Sequence, residues 1–270
     1  MRVPSLAWRR HGVQTLERAV PEETAVAFTY DGGSYAVMMA TPADLEDFAV
    51  GFSLDEGVIA SPDEINRLEI IEGELGVELR MWLAEPRSSE LSARRRHMAG
   101  PTGCGLCGIE SLAEAMRPAP RVAEGAAVSP AAILHALDAL APAQALNRET
   151  RAVHAAAFFR PDGEFVVLRE DAGRHNALDK LAGALARAGI RAAEGFVVVT
   201  SRVSVEMVQK TAAIGAPLLV AVSAPTALAI RTAEEAGITL AAVARDDGFE
   251  VFTHAGRIRR EVSDVRDHVA

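Results

Sequence analysis

The sequence predicts an α/β fold in two parts: a larger C-terminal three-layer α/β domain over residues 121–270 and a smaller α+β domain over residues 1–120. Three observations predict it. From Asn176 onward helical and strand patterns alternate, and the strand segments are short and apolar on both faces, as in a sheet covered by helices. Before residue 120 the strands come in pairs joined by tight turns. Between the two regimes, Pro118–Glu124 breaks the periodicity and reads as a boundary.

Each element has a local reason. Ala25–Tyr30 and Tyr35–Ala40 flank Asp31-Gly32-Gly33, whose residues tolerate positive φ, so Ala25–Thr41 reads as a hairpin. Thr41 is placed as a helix N-cap with Pro42 in the first turn. Leu45, Phe48, Ala49 and Phe52 then recur at helical spacing until Gly57. Leu68–Ile71 and Val77–Leu83 form a second strand pair. Glu85–Gly103 is polar, basic and rich in turn formers, and reads as a mobile loop, with a short helix at Ile109–Met116.

Beyond the boundary, Ser129-Pro130 caps a helix running to about Leu140. Strands at Val153–Phe159 and Glu164–Leu168 are joined by the turn Arg160-Pro161-Asp162-Gly163. Helices follow over Asn176–Ala188, Val203–Ile214 and Thr226–Ala236, the last closed by Gly237. Strands fall at Gly195–Thr200, Leu218–Val222, Ile238–Ala244 and Glu250–Thr253.

Composition narrows the function. With 270 residues, 49% hydrophobic and 5% aromatic, the chain has ample material for an aliphatic core. A formal net charge of -9 argues against a general nucleic-acid binder. Met1–Glu17 lacks a continuous apolar region of the signal-peptide kind, and no run is long and apolar enough for a membrane span. The chain reads as cytoplasmic with reduced thiols.

Its 2 cysteines, Cys104 and Cys107, form one Cys-x-x-Cys framed by Gly103, Gly105 and Gly108. One such pair is half of a structural zinc site, and His154, His175 or a second copy would have to complete it. A thioredoxin-like redox role prefers the motif inside a βαβ unit. A purely structural, buried pair fits poorly in so polar a segment. Glycines that free the loop suit a group carrier, whose thiolate meets two partners in turn. Arg94-Arg95-Arg96, shortly before Cys104, is either a solvated stretch or a positive rim favouring a thiolate or an anion.

The second cluster, Arg169 to Asn176, lies between a predicted strand and a helix, where open α/β sheets bind ligands. Arg174 and His175 are placed to meet a phosphate; Asp171 and Asn176 either bond a base or pterin ring or cap the helix. Thr200-Ser201-Arg202-Val203-Ser204 and Ser223-Ala224-Pro225-Thr226 repeat the strand-to-helix pattern and suggest an anion site with helix amides. Three such junctions are expected to line one crevice for a large polyanion. His154 is read either as a core histidine or as a member of that crevice. There is no Gly-x-Gly-x-x-Gly, no P-loop, no His-Glu-x-x-His and no Gly-x-Ser-x-Gly.

Several ordered motifs resemble the FdhD/NarQ family. They are Met39-Ala40-Thr41-Pro42-Ala43-Asp44-Leu45-Glu46-Asp47-Phe48-Ala49-Val50-Gly51-Phe52, Gly103-Cys104-Gly105-Leu106-Cys107-Gly108, Val153-His154-Ala155-Ala156, the run Glu170 to Lys180, the run Ser201 to Lys210, Ser223-Ala224-Pro225-Thr226 and Phe252-Thr253-His254. The resemblance spans about Glu17 to Arg257. It implies a sulfurtransferase that takes sulfur from a cysteine desulfurase and passes it to the molybdenum cofactor, in its bis(molybdopterin guanine dinucleotide) form, for formate dehydrogenase. It implies Cys104 as the persulfide carrier and Cys107 as its companion. The cofactor-binding stretch falls on Ala244, Arg245, Asp246, Asp247, Gly248 and Phe249, to which Arg174, His175 and Arg202 are added from the clusters above. No resident metal is implied. A homodimer and a cytidine-deaminase-like larger domain, without that class's His-x-Glu motif, are implied as well. Asp246 and Asp247 stand where members are commonly basic or glycine-rich, which leaves Arg245 or backbone amides to meet phosphate. The competing readings are a zinc-binding scaffold or chaperone that escorts apo formate dehydrogenase, and a deaminase-like hydrolase, which needs a third metal ligand and a glutamate.

Overall fold

The computed structural model describes residues 1–97, 118–245 and 247–259. Cys104, Cys107, Glu110, Asp246 and the helix expected at Ile109–Met116 lie outside them. The elements are β1 (Arg2–Arg9), β2 (Gly12–Ala19), β3 (Thr24–Tyr30), β4 (Gly33–Ala40), α1 (Leu45–Asp55), β5 (Ile65–Gly73), β6 (Gly76–Leu83), α2 (Glu85–His97), α3 (Pro130–Ala143), α4 (Ala145–Thr150), β7 (His154–Phe159), β8 (Phe165–Asp171), α5 (Arg174–Arg187), β9 (Phe196–Val199), α6 (Val205–Ala213), β10 (Leu218–Ala221), α7 (Ala227–Ala236), β11 (Thr239–Arg245) and β12 (Gly248–Val251). Two compact units emerge. One takes Met1–Arg117, Pro142–Ala156 and Leu168–Ala188; the other takes Pro118–Ala141, Ala157–Val167 and Gly189–Ala270. The units are interleaved in sequence, whereas the division at residue 120 treats the domains as contiguous.

In the first unit, β3 sits between β4 and β6 in a sheet ordered β4-β3-β6-β5. The β3–β4 turn works as the sequence implies: Asp31 and Gly32 take φ of 50° and 78°, the left-handed pair that matches strand twist. Strand alternation buries Val26, Phe28 and Tyr30 of β3 with Leu79 and Met81 of β6. Phe48 and Phe52 of α1 close this core. Phe28 stacks on Phe52 at 4.0 Å and meets Phe48 edge-on at 5.0 Å.

Three expectations change here. Helix α1 starts at Leu45, capped by Asp44 with φ 54°, because Thr41 is engaged elsewhere. Residues 85–97 are helical, not a loop. Pro86 falls in the first turn, where its missing N–H costs nothing, and no later glycine or proline breaks the run. Leu91 packs into the core, and Arg87 bonds Glu64 and Glu90. Finally, Met1–Glu17, in which no element was expected, lies in the antiparallel pair β1–β2, with Leu6 opposite Thr15 and Trp8 opposite Val13.

Helices α1 and α5 pack at backbone contact. A Cβ added to Gly51 would overlap the Asp179 carbonyl, and one added to Gly183 would overlap the Asp47 carbonyl. Backbone atoms cannot swing aside as a flexible side chain can.

The second unit holds β9, β10 and β11, which run parallel, with β12 antiparallel on β11. They belong to a six-stranded sheet ordered β12-β11-β10-β9-β7-β8. Every residue of β9 and β10 is buried, the pattern of a covered parallel sheet. Helix α3 begins as expected, with Ser129 Oγ accepting from Ala132 N at 3.0 Å. Helix α7 ends at Gly237 with φ 76°. The mixed α/β class is therefore observed. Among the described residues no helix is long and apolar enough to cross a membrane.

Gly51→Ala is expected to lower the unfolding free energy by about 1–3 kcal/mol through overpacking against α5. Urea denaturation of the two proteins checks this; equal midpoints and slopes would contradict the backbone contact.

Candidate functional site

In the first unit the cluster after β8 is built around a carboxylate. Asp171 and Lys180 are both 0% exposed, and Lys180 Nζ lies 2.6 Å from Asp171 Oδ2. Thr41 N donates to the same Oδ2 at 3.0 Å. Gly173 N and Asn176 Nδ2 donate to Oδ1 at 2.7 and 3.0 Å. An ionised carboxylate has about four acceptor positions, and all are used. Lys180 also donates to Thr41 O at 2.8 Å and lies 5.4 Å from the centre of the Phe48 ring. Asn176 Nδ2 reaches Met39 O at 2.8 Å, and Thr41 Oγ1 accepts from Ala172 N at 3.1 Å.

This overturns part of the sequence reading. Asp171 and Asn176 do not offer themselves to a base or pterin ring; their polar atoms clamp the segment after β4 to the start of α5. The sequence reading gave Lys180 no role at all. Its signals are that it is one of two lysines in the chain, ends the run Glu170 to Lys180, and lies nine residues after Asp171. Glu170 is also structural, accepting from the amides of Leu146 and Asn147 at 2.8 Å each and so capping α4.

Nearby charges are largely paired. Asp47, at the start of α1, accepts from Arg169 Nε at 2.8 Å and from Arg187 Nη1 at 2.6 Å. Arg174 and His175 open α5 and are half-buried. Arg174 Nε is shielded from water without a hydrogen-bond partner among the described residues. Helix α5 has Gly173 as its N-cap and no side-chain cap. His154, the first residue of β7, is half-buried, and its imidazole is held below the usual histidine range, first by desolvation and then by the Arg174 charge.

In the second unit the strand ends of β9 and β10 are tied together. Val203 N donates to Ala224 O at 3.3 Å and Thr226 N to Val203 O at 3.0 Å, so the loops carrying Arg202 and Ser223–Thr226 form one edge. Their helix starts differ. Thr226 caps α7 through Ala229 N at 3.2 Å. Ser204, the N-cap residue of α6, makes no cap bond, and its Oγ is buried without a partner among the described residues. The first-turn amides of α6 therefore lack a side-chain cap, and Arg202, exposed, stands two residues before α6's N-cap.

The stretch Ala244 to Phe249 turns β11 into β12. Ala244 is buried, Arg245 and Asp247 are exposed, and Gly248 and Phe249 are half-buried. Arg245 donates to the carbonyls of Val222 and Ala244, bracing the exit of β10. Val243 has φ 54°, where the β11–β12 register shifts. A β-branched residue in that region is a strained outlier, and such bulges re-aim strand ends. No sequence signal marks it, because valine is a residue least expected there. Of the predicted site residues, then, Arg174 and His175 belong to the first unit, and Arg202, Ala244, Arg245, Asp247, Gly248 and Phe249 to the second. Cys104, Cys107 and Asp246 lie outside the described residues.

The sequence profile of the FdhD/NarQ family matches residues 21–259, across both units and the cysteine pair. The chain belongs to the FdhD/NarQ family. It is 57% identical over 258 residues to the sulfur carrier protein FdhD of Agrobacterium fabrum, covering 95% of each chain. It is 54% identical over 257 residues to that of Brucella abortus, covering 95% of this chain and 96% of the relative. In structure it is similar to a crystal structure described as a formate dehydrogenase accessory protein from Desulfotalea psychrophila. The TM-score is 0.75 at 26% identity, covering 96% of this chain and 99% of that one. The matched range includes the Asp171–Lys180 clamp as well as the cysteines.

Two outcomes follow. Lys180→Met leaves Asp171 buried and uncompensated and is expected to cost about 3–5 kcal/mol of stability; chemical denaturation at neutral pH measures it, and a loss within experimental error would show that the pair is dispensable. For His154, the folded pKa lies below the unfolded value, so unfolding takes up a proton as pH falls below about 6.5. The stability it contributes is full above that pH and is lost as pH falls towards the folded pKa. His154→Asn should flatten this slope in a denaturation series from neutral to mildly acidic pH; an unchanged slope would assign the dependence to other groups.

Proposed function

We propose that this protein is a sulfur carrier in formate dehydrogenase maturation, with Cys104 as the atom that carries sulfur. The observation that carries the reading is family membership over residues 21–259, with relatives named sulfur carrier protein FdhD, in a chain whose 2 cysteines form one Cys-x-x-Cys. The Cys104 thiolate attacks the outer sulfur of a cysteine desulfurase persulfide. The donor S–S bond breaks, its cysteine leaves as a thiolate, and Cys104-S-SH forms with no net change in oxidation state. Release as hydrosulfide needs two electrons. The Cys107 thiolate supplies them by attacking Cys104 Sγ, which closes a Cys104–Cys107 disulfide; a cellular dithiol then reopens it.

The acceptor substrate is the molybdenum cofactor as the bis(molybdopterin guanine dinucleotide), delivered afterwards to apo formate dehydrogenase. Its pyrophosphates call for cations and amides. In the second unit Arg202, Arg245 and the uncapped first turn of α6 supply groups of that kind, and Asp247 leaves Arg245 and backbone amides as the phosphate-meeting groups of the loop; in the first unit Arg174 supplies a cation. This reading includes a cytidine-deaminase-like scaffold for the larger domain, a homodimer and a cytoplasmic setting.

Mass spectrometry after incubation with a cysteine desulfurase and cysteine should find one added sulfur on the peptide bearing Cys104. Cys104→Ser should abolish the adduct. Cys107→Ser should keep it and slow its release. An active desulfurase that leaves Cys104 unmodified, with stoichiometric zinc lost when both cysteines are replaced, would point to the zinc-binding scaffold for apo formate dehydrogenase instead.

A further inference from the structure

A polar cavity lies in the second unit, at the opposite end of the parallel strands from Arg202 and Arg245. It has a volume of about 370 Å³ and is lined by Glu124, Gly125, Ala127, His254, Gly256, Arg257 and Arg259. That volume is in the range of small-ligand sites. The strand direction fixes its place. Arg257 Nη1 donates to Pro217 O at 2.8 Å, just before β10, and Nη2 donates to Gly237 O at 3.1 Å, two residues before β11. Arg202 follows the end of the parallel neighbour β9, and Arg245 ends β11.

Arg257 is unlike most of the protein's half-buried arginines. Arg80, Arg87, Arg160 and Arg169 each meet a carboxylate within 4 Å. Arg257 meets none among the described residues; it donates instead to the two carbonyls and to Thr239 Oγ1 at 2.6 Å. Those three bonds use three of the five guanidinium hydrogens, which leaves two donors and a full positive charge at the cavity wall. Desolvation holds the guanidinium below its usual range, as expected for a cation with too little compensation. Glu124 is exposed and lies beyond ion-pair distance, so it only weakly offsets that charge.

The other walls reinforce this. Arg259 is exposed and adds a second cation, its backbone fixed by a bond from its amide to Val128 O at 3.0 Å. His254 is held with φ 46°, a left-handed conformation that a non-glycine residue keeps only when its surroundings impose it. Its carbonyl accepts from Thr239 Oγ1 at 2.9 Å and its Nε2 lies 2.9 Å from Glu234 O. His254 of the Phe252-Thr253-His254 motif therefore lines this cavity.

We infer that this cavity binds a small oxyanion group, a carboxylate or a phosphate, between Arg257 and Arg259. An oxyanion accepts the two remaining Arg257 donors, takes the Arg259 charge from the rim, and supplies the counter-charge that Arg257 lacks among the described residues. The ligand is a compact anion, because Glu124 in the cavity lining disfavours further negative charge.

The test is calorimetric titration of the full chain with inorganic phosphate and, separately, with acetate. Variants Arg259→Gln and Glu124→Gln both alter exposed side chains and should not disturb folding, which thermal denaturation confirms. Arg202→Gln is the control for the other end of the sheet. Arg259→Gln should weaken binding at least several-fold, Glu124→Gln should tighten it, and Arg202→Gln should leave this site unchanged. Tighter binding of phosphate or of acetate identifies which oxyanion the cavity prefers. No binding of either anion, or the same affinity in wild type, Arg259→Gln and Glu124→Gln, overturns the assignment. Neither result bears on persulfide formation at Cys104.

Discussion

A carboxylate that touches no solvent must be met by donors on every side, and Asp171 is met by four. Two are backbone amides, one is the Asn176 amide and one is the Lys180 ammonium. Much of the first unit depends on this arrangement. It fixes the chain after β4 through Thr41, and it fixes the start of α5 through Gly173 and Asn176. Helix α5 can then lie against α1 at backbone contact, with Gly51 and Gly183 facing carbonyls. Such a buried pair gives little net stability compared with apolar residues of the same size. Its value lies in geometry: only one conformation satisfies all the donors at once. Arg174 and His175, the next residues of α5, inherit their positions from it.

The second unit is organised by its parallel strands instead. Their two ends carry different chemistry. At the C-terminal ends, two loops are hydrogen-bonded into one edge that presents Arg202 and the uncapped turn of α6. At the N-terminal ends, Arg257 gathers carbonyls from the residues before β10 and β11. In an open parallel sheet the first end is the usual ligand site, because helix amides point there. The second end acquires polarity only because an arginine is drawn in to satisfy carbonyls that the strands leave over.

Many features were legible locally. Asp31-Gly32 announced the first turn, Thr226 and Gly237 bounded α7, and Ser129 capped α3, since each acts on residues within one turn of itself. Thr41 misled for the same reason: as a residue before a helical run it looks like a cap, but its amide and hydroxyl are claimed by residues some 130 positions away. The segment after Leu83 looked like a loop because its serines and charges are turn-like in isolation, while Leu91 found a core to pack against.

By itself, then, the sequence determined the α/β class, most element positions, the solitary cysteine pair and the family, because these are carried by periodicity, capping residues and contiguous motifs. Tertiary structure alone decided which polar residues are free to act. Asp171 and Asn176 read as ligand groups and are spent on an internal clamp; Lys180 had no assigned role and completes it; Arg257 meets no carboxylate among the described residues, where most comparable arginines do. The physical reason is that a polar side chain has few hydrogen-bond positions, and whether they are already filled depends on partners distant in sequence.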